Sequence, residues 1–284
     1  MRLCAIASGS SGNCVYIGHG RTHLLVDAGI SGKRIEQALL SIGAPAGEIK
    51  GILITHGHSD HIQGIGVLAR RYGIPLYGTA ETLCGMLKGR TNIGRIPEEL
   101  LHEVKPGESI DFDGLTAKAH SVSHDAANPV CYTFEADGKK AAMVTDLGMY
   151  DRSIVEAVTD AEILYLESNH DVNMLMVGSY PYYLKQRILG ERGHLSNDTA
   201  AKLLCEVLHP GLKHVILAHL SKENNLPELA YETVRIELQA AADRNGLPMP
   251  DLFVAERDIP SRPVGFEATE AVQLELELFA QAKE

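Results

Sequence analysis

The sequence predicts an α/β fold, because strand-like apolar runs alternate along the chain with segments of helical periodicity. Four apolar runs are each followed within two residues by a side chain that can ionise or bind a metal; they cover residues 52–54, 141–144, 163–166 and 215–218. Ligand-binding and active sites in layered α/β structures lie at the carboxyl ends of the strands. The chain shows no internal repeat, low-complexity tract or linker, so we expect one domain over residues 1–266 and a helical tail over 267–284.

Composition indicates a globular protein that can bury a full core, since 45% of the 284 residues are hydrophobic and 22% are charged. The five cysteines are odd in number, widely spaced and without a Cys-x-x-Cys pair, which argues against a disulfide framework. No apolar stretch approaches the roughly 20 residues that span a bilayer, and the N-terminus has no apolar signal region. We therefore expect a cytoplasmic protein without a membrane partner.

The net charge of −11 argues against a protein that coats nucleic acid with a broad basic face. A polyanionic partner would have to be held locally. Metal ions at a site could supply much of the positive charge that such a partner needs.

The most informative stretch is the heptapeptide Thr-His-Gly-His-Ser-Asp-His at residues 55–61, which follows an apolar run. Neutral imidazole suits zinc and other transition metals, and a carboxylate is the usual anionic co-ligand. A sharp turn after the strand would aim His56 and His58 at one metal, while Asp60 and His61 would aim at a second. The alternative is a solvent-exposed polar loop that happens to be rich in histidine.

The N-terminal part of the chain is predicted to form strands with turns, over residues 3–7, 14–17 and 23–26. The loop at 8–13 contains small residues whose backbone N–H groups can approach an anion closely. Ser10, Ser11 and Asn13 are therefore candidate substrate-binding residues, and a plain hairpin turn is the alternative. Asp27 either orients a ligand histidine or caps the next helix, and both roles are compatible.

Helices are predicted over residues 35–42, 61–72, 80–88, 199–208 and 227–245. A strand over 51–55 delivers the heptapeptide, and residues 109–120 alternate in the manner of strands. One histidine after this alternating stretch should be the third ligand of the first metal. We prefer His124, because it lies past the strand in a loop that can bend inward, and we expect His120 to be an ordinary strand residue.

The remaining candidates follow the later apolar runs. The Asp146 carboxylate could bridge two cations, and the alternative is an ordinary turn aspartate. Glu167 and His219 follow the third and fourth runs in the same way. His194 lies just outside a helix that the Ser-Asn-Asp run at 196–198 can cap.

With these residues placed, the chain resembles the metallo-β-lactamase superfamily over most of its length. The matching motifs are Asp27, His56-x-His58-x-Asp60-His61, His124, Asp146 and His219. The resemblance implies a four-layer αββα sandwich with a two-metal site. It also implies the ligands: His56, His58 and His124 for one metal, Asp60, His61 and His219 for the other, and Asp146 as the bridge.

Within the superfamily the chain is most similar to the YycJ/WalJ-like branch, through residues 9–13, 166–171 and 193–197. It is also similar to tRNase Z-type phosphodiesterases, which pair a glutamate after a strand with a histidine before a helix. Carried over by position, this similarity makes His194 the general acid and Glu167 the residue that holds its imidazole. The alternative is a capping histidine and an unrelated glutamate.

The resemblance implies a metal-dependent phosphodiesterase, namely a nuclease of the 5′-to-3′ exonuclease type that cleaves DNA or RNA with a di-metal-activated water. Two zinc or manganese ions fit the His/Asp ligands, iron is also compatible, and Asp60 is a candidate proton acceptor. Ser221 and Asn224 join the candidate substrate-binding residues, and a homodimer is compatible with the sequence. The rival predictions are a hydrolase of thioesters, lactones or β-lactams, and a redox or signal-binding di-metal protein.

Overall fold

The computed structural model describes residues 1–265, so the tail predicted at 267–284 lies outside the described residues. The described strands are β1 (Arg2–Ala7), β2 (Cys14–His19), β3 (Thr22–Val26), β4 (Ile49–Leu53), β5 (Leu76–Gly78), β6 (Leu101–Glu103), β7 (Ser109–Phe112), β8 (Leu115–Ser121), β9 (Val130–Ala136), β10 (Lys139–Val144), β11 (Ile163–Glu167), β12 (His214–Ala218), β13 (Asp251–Val254) and β14 (Val264–Gly265). The described α-helices are α1 (Gly32–Ser41), α2 (Ser59–Ile62), α3 (Ile65–Tyr72), α4 (Ala80–Lys88), α5 (Arg152–Val158), α6 (Val172–Val177), α7 (Tyr182–Leu189), α8 (Asn197–Val207) and α9 (Pro227–Asn245). Among these helices, none combines the length and the apolar character needed to cross a membrane.

The first of two compact units contains Met1–Lys105, Ile110–Thr116 and the described chain from Glu256 onward. Its sheet has the strand order β14-β1-β2-β3-β4-β5-β6, and β3 to β6 run parallel. Because β3 and β4 are parallel neighbours, the residues that follow them emerge at the same edge. The Asp27 N–H donates to the Leu53 carbonyl at 2.8 Å and joins the two strand ends.

The apolar core of the first unit lies between its helices and this sheet. Leu39 of α1, Leu68 of α3 and Leu83 of α4 belong to one buried cluster with Leu25 and Ile52 of the sheet. Burial of leucine and isoleucine side chains typically stabilises a fold by about 1.5–3 kcal/mol each. The strand ends of this unit are therefore anchored to a rigid support.

The second unit contains Pro106–Ser109 and Ala117–Ala255. The second sheet has the strand order β13-β12-β11-β10-β9-β8-β7, and β10 to β13 run parallel. The register pairs Val144 with Leu166 and Leu166 with Leu217. The residues that follow β10, β11 and β12 therefore emerge side by side, as the sequence predicts for Asp146, Glu167 and His219.

Several predicted elements are confirmed, and two have the predicted bounds: helices α4 and α9. The predicted helix at 61–72 is instead two helices, α2 and α3, with Gly64 between them. Gly64 approaches the backbone after β3, since its N–H donates to Ala28 at 2.7 Å and an added Cβ would lie 2.2 Å from the Ile30 oxygen. This close approach replaces the continuous helix that periodicity alone predicts.

Three short helices of the second unit, α5, α6 and α7, were not predicted, because runs of six to eight residues carry too few turns for a clear period. Two of them begin at aspartate caps. The Asp151 carboxylate accepts from backbone N–H groups at the start of α5, and Asp171 does the same for α6.

The capping role proposed for Asp27 is wrong, because Ser31 caps α1.

Gly66→Ala is predicted to destabilise the first unit, because the added Cβ would lie 1.8 Å from the carbonyl oxygen of Ile93. Overpacking of this kind typically costs about 1–3 kcal/mol. The matched control is Gly85→Ala in α4, where an added Cβ meets nothing within 4 Å. At an exposed helical position alanine is expected to stabilise by roughly 0.5–1 kcal/mol. Urea unfolding measures the free energy of unfolding of both variants, which should fall for Gly66→Ala and rise for Gly85→Ala. Equal changes would contradict the close packing of Gly66 against Ile93.

Candidate active site

The backbone is strained at the carboxyl ends of three strands. Asp27 after β3, Asp146 after β10 and His219 after β12 have positive φ angles of 59°, 60° and 55°. Non-glycine residues rarely adopt this left-handed conformation, and such outliers cluster at functional sites. All three are residues that the sequence assigned to a metal centre.

In the first unit, the fully buried Asp27 carboxylate holds His61 in place. Oδ2 of Asp27 lies 2.8 Å from Nδ1 of His61 and also accepts from the Thr55 hydroxyl at 2.8 Å. Oδ1 accepts from the Thr55 backbone N–H at 2.9 Å. Burial raises the pKa of Asp27, whereas the neighbouring His61 and the hydrogen bonds act to lower it. The interaction directs Nε2 of His61 toward Asp60, whose Oδ2 is 3.5 Å away.

The same threonine orients His56. Because the Thr55 hydroxyl gives its proton to Asp27, its oxygen accepts from Nδ1 of His56, which lies 3.0 Å away. Nε2 of His56 then carries the lone pair, and it lies 3.0 Å from Nδ1 of His58. The structure thus brings together His56, His58, Asp60 and His61, and it supports a binding cluster over the alternative of an exposed polar loop.

The loop between β1 and β2 contributes one residue to this cluster. Asn13 is buried, and its Nδ2 lies 3.1 Å from Nε2 of His61 and 3.4 Å from Oδ2 of Asp60. Ser10 and Ser11 are exposed on the turn. Asn13 therefore contacts the His/Asp cluster of the first unit. A substrate role for Ser10, Ser11 and Asn13 stays a prediction.

In the second unit, the Asp146 carboxylate lies among three imidazoles. Its Oδ1 is 3.5 Å from Nε2 of His219, 3.8 Å from Nδ1 of His194 and 3.9 Å from Nε2 of His124. Asp146, His124 and His219 are all buried, whereas the His194 side chain is 22% exposed. A carboxylate with several imidazoles is a donor set that fits divalent transition metals.

The fully buried Glu167 carboxylate organises these imidazoles. Its Oε1 accepts from Nδ1 of His194 at 2.7 Å and from Nδ1 of His219 at 2.9 Å. Its Oε2 accepts from the backbone N–H groups of Leu147 at 3.2 Å and Leu195 at 3.1 Å. Glu167 is therefore a positioning residue that fixes two histidine rings and the loops that carry their neighbours.

Three of the candidate ligand histidines have Nδ1 bonded to a protein acceptor. His61 donates to Asp27, His219 to Glu167, and His124 to the Gly193 carbonyl at 3.1 Å. Each ring is thereby held in the tautomer whose Nε2 carries the lone pair. Metal-binding histidines are usually oriented by such partners, so the residues fit a metal centre.

Charge coupling separates the protonation behaviour of these groups. Burial acts to raise the pKa of Glu167, but the neighbouring His194 holds it well below its ordinary range. Burial acts to lower the pKa of His194, yet Glu167 raises it overall above the ordinary value of 6.5. Burial lowers the pKa of His124 despite the nearby Asp146. Glu167 therefore favours a proton on His194, whereas burial disfavours one on His124.

Sequence reasoning assigned no role to an amide network that supports the site. The Ser168 hydroxyl donates to Oδ1 of Asn197 at 2.6 Å, and Nδ2 of Asn225 donates to the same oxygen at 2.9 Å. Nδ2 of Asn169 donates to the His219 carbonyl at 2.8 Å. The only sequence signal was the resemblance of residues 166–171 and 193–197 to the YycJ/WalJ-like branch, and that resemblance predicts no contact between them.

Two other predicted positions have local roles. His120 lies in β8 with Nε2 2.8 Å from the Thr133 hydroxyl, as expected of a strand residue, and burial lowers its pKa to about 4. The Ser221 hydroxyl accepts from the Asn224 N–H at 3.2 Å, and both residues are buried. These bonds stabilise the loop after β12, and a substrate role for Ser221 and Asn224 stays a prediction.

Comparison with known proteins gives one family match, described as a β-lactamase superfamily domain, over residues 22–220. The chain is 37% identical over 263 residues to the exodeoxyribonuclease YycJ of Bacillus anthracis, a match that covers 93% of this chain and 97% of YycJ. It is 42% identical over 236 residues to the exodeoxyribonuclease WalJ of Streptococcus pneumoniae, covering 83% and 87% of the two chains. The metallo-β-lactamase fold protein YhfI of Bacillus subtilis has a TM-score of 0.64 at 17% identity and matches 92% of this chain and 98% of its own.

Asp27→Asn is predicted to weaken metal binding, because an amide NH₂ facing Nδ1 of His61 would move the ring proton to Nε2. Loss of such an orienting partner typically lowers metal affinity by about 10- to 100-fold. Competition with a chromophoric chelator measures this affinity, and circular dichroism checks the fold. The control is Asp258→Asn, which removes an exposed carboxylate paired with Arg34. Unchanged affinity in a folded Asp27→Asn protein would contradict the orienting role.

Proposed function

This chain belongs to the metallo-β-lactamase superfamily and to its YycJ/WalJ branch, and we propose from that premise that it is a 5′-to-3′ exonuclease acting on DNA. Membership confirms the predicted fold class and the hydrolase class. The observation that carries the proposal is the hydrogen bond of 2.7 Å between Glu167 and His194. An alkoxide leaving group needs a proton, and this pair can supply one.

We propose the ligand set that family membership implies. One metal would be held by His56, His58 and His124 and the other by Asp60, His61 and His219, with Asp146 shared by both. Two bound divalent ions would lower the pKa of a water and neutralise charge on a phosphate. Zinc and manganese both suit these ligands, and iron is compatible. The orientation of the histidine rings by Asp27, Glu167 and Gly193 supports this assignment.

His194 is proposed as the general acid. Its Nδ1 donates to Glu167, so Nε2–H is the proton that the ring can give to a leaving oxygen. Glu167 raises the pKa of His194, which favours the protonated ring, and the partial exposure of the side chain allows contact with a substrate. Asp60, whose side chain is 23% exposed, is proposed to accept the proton of the attacking water. Acid and base are then separate groups, so one can protonate the leaving oxygen while the other accepts the proton of the water.

A hydrolase of thioesters, lactones or β-lactams is the rival, and a single purified metal-loaded preparation separates the two. We expect cleavage of bis-p-nitrophenyl phosphate and stepwise shortening of a 5′-phosphorylated DNA oligonucleotide labelled at its 3′ end. Hydrolysis of nitrocefin or a lactone with inert phosphodiesters would overturn the proposal. Metal analysis of the same preparation identifies the ions.

His194→Ala is predicted to leave metal content unchanged and to lower the rate on DNA by roughly 10²- to 10⁴-fold, the usual contribution of a general acid. The loss on bis-p-nitrophenyl phosphate should be much smaller, because nitrophenolate leaves without a proton. The wild-type rate on DNA should fall as pH rises through the raised pKa of His194, and the variant should lack this alkaline limb. Loss of metal from the variant would instead make His194 a ligand.

We also propose that the protein works in the cytoplasm and that it can form a homodimer. The first proposal is supported by the five cysteines, all of which are free thiols. Fractionation of cells and light scattering of the purified protein test the two proposals separately.

A further inference from the structure

The α6–α7 segment, residues 172–194, exposes an unusual set of side chains. Val177 is 86% exposed, Tyr182 is 72% exposed and Tyr183 is 75% exposed, and Met176 beside them is also exposed. These two tyrosines are more exposed than the other eight tyrosines of the chain. The segment is held at its base by Leu175, which is fully buried. Leu175 belongs to α6, and α7, which carries both tyrosines, has no buried residue. Exposed aromatic side chains side by side on a helix indicate a binding surface.

The charge of this segment opposes that of the rest of the protein. Residues 172–194 contain three basic side chains, Lys185, Arg187 and Arg192, against one acidic side chain, Glu191. Because Arg187 is paired with Asp125 outside this range, the set has a net charge of +1. The whole chain carries a net charge of −11. A local excess of positive charge on an acidic protein favours an anionic ligand. It disfavours a symmetric contact with a second copy, because a two-fold interface would bring the two basic sets together.

The α7 helix is hydrogen-bonded to the backbone of the candidate acid, His194. The His194 N–H donates to the Ile188 carbonyl of α7 at 3.0 Å. Nε of Arg192 donates to the His124 carbonyl at 3.1 Å, and Arg187 forms an ion pair with Asp125. A ligand that lies along α7 is therefore led toward the group that we propose protonates the leaving oxygen.

The turn between α7 and His194 is also closely packed. An added Cβ at Gly193 would lie 2.1 Å from the Ile188 carbonyl oxygen, and one at Gly148 would lie 2.3 Å from the Gly190 carbonyl oxygen. The α7 helix thus has a defined position relative to His194 within the second unit. A DNA strand that contacts α7 can therefore have its scissile bond positioned near the imidazole of His194.

We propose that the α6–α7 segment binds single-stranded DNA, with Tyr182 and Tyr183 stacking on bases and the basic side chains close to phosphates. The proposal rests on the proposed exonuclease function and names the surface that holds its substrate strand. Aromatic stacking accepts any base, because every base has a π-face, and the backbone charge supplies the rest of the affinity. This combination suits an enzyme that must shorten a strand regardless of its sequence.

The test compares Tyr182→Ala/Tyr183→Ala with Tyr182→Phe/Tyr183→Phe in the full metal-loaded protein. Fluorescence anisotropy with a phosphorothioate-linked single-stranded DNA measures binding without cleavage. We expect the alanine variant to bind about 10- to 100-fold more weakly, since each stacked base is worth roughly a tenfold change. The phenylalanine variant should bind like the wild type, because the ring is kept. Tyr72→Ala, which removes an exposed tyrosine of the first unit, is the matched control and should change nothing.

Catalytic assays separate this proposal from the proposed function. The alanine variant should lose kcat/KM on DNA in proportion to its binding and should keep the wild-type rate on bis-p-nitrophenyl phosphate. The proposed DNA-binding surface would be overturned if the alanine variant bound DNA as the wild type does, or if the phenylalanine variant lost as much binding as the alanine variant. It would also be overturned if the wild type bound RNA of the same sequence more tightly, or if the alanine variant changed only in oligomeric state. A wild-type protein that cleaves no phosphodiester would overturn the proposed function, while the anisotropy result still decides the surface.

Discussion

The site of the second unit depends on one buried carboxylate, that of Glu167. A charge taken out of water is costly unless every lone pair is satisfied, and here two imidazoles and two backbone N–H groups satisfy it. Removing this group would take away the carboxylate that lies 2.7 Å from Nδ1 of His194 and 2.9 Å from Nδ1 of His219, and it would release the loops after β10 and before α8. The neighbouring His194 lowers the pKa of Glu167, and the ionised Glu167 in turn raises the pKa of His194.

The first unit repeats this solution with Asp27. A fully buried carboxylate after a parallel strand accepts from a backbone N–H, a hydroxyl and an imidazole, and so orients His61. Both units therefore place a rigid anion behind the histidine ring. Asp27, Asp146 and His219 follow their strands in the left-handed backbone conformation, which turns the chain away from the strand direction. This conformation is strained, and the buried hydrogen bonds compensate for the strain.

In the proposed function, the hydrogen-bonded pair of Glu167 and His194 is what favours a phosphodiester as the substrate. Metal ions held by ligands of this type can also catalyse the hydrolysis of many amides and esters, so the ligands alone do not discriminate between substrates. A protonated imidazole held by a carboxylate adds what an alkoxide leaving group needs. The α6–α7 segment adds a place for the rest of the strand, since it is both aromatic and locally basic on an acidic chain.

The sequence by itself determined the strand ends and the types of ligand, because apolar runs that end in His or Asp can be read without neighbours, and it placed α4 and α9 from periodicity and glycine stops. Only the tertiary structure decided which role Asp27 has, since the choice between capping and orienting depends on Thr55 and His61, which lie far along the chain. The same holds for the break at Gly64, the amide network around Asn197, and the exposure of Tyr182 and Tyr183. Hydrogen bonds and close approaches between distant segments follow from sheet register and packing, and neither is encoded in local spacing.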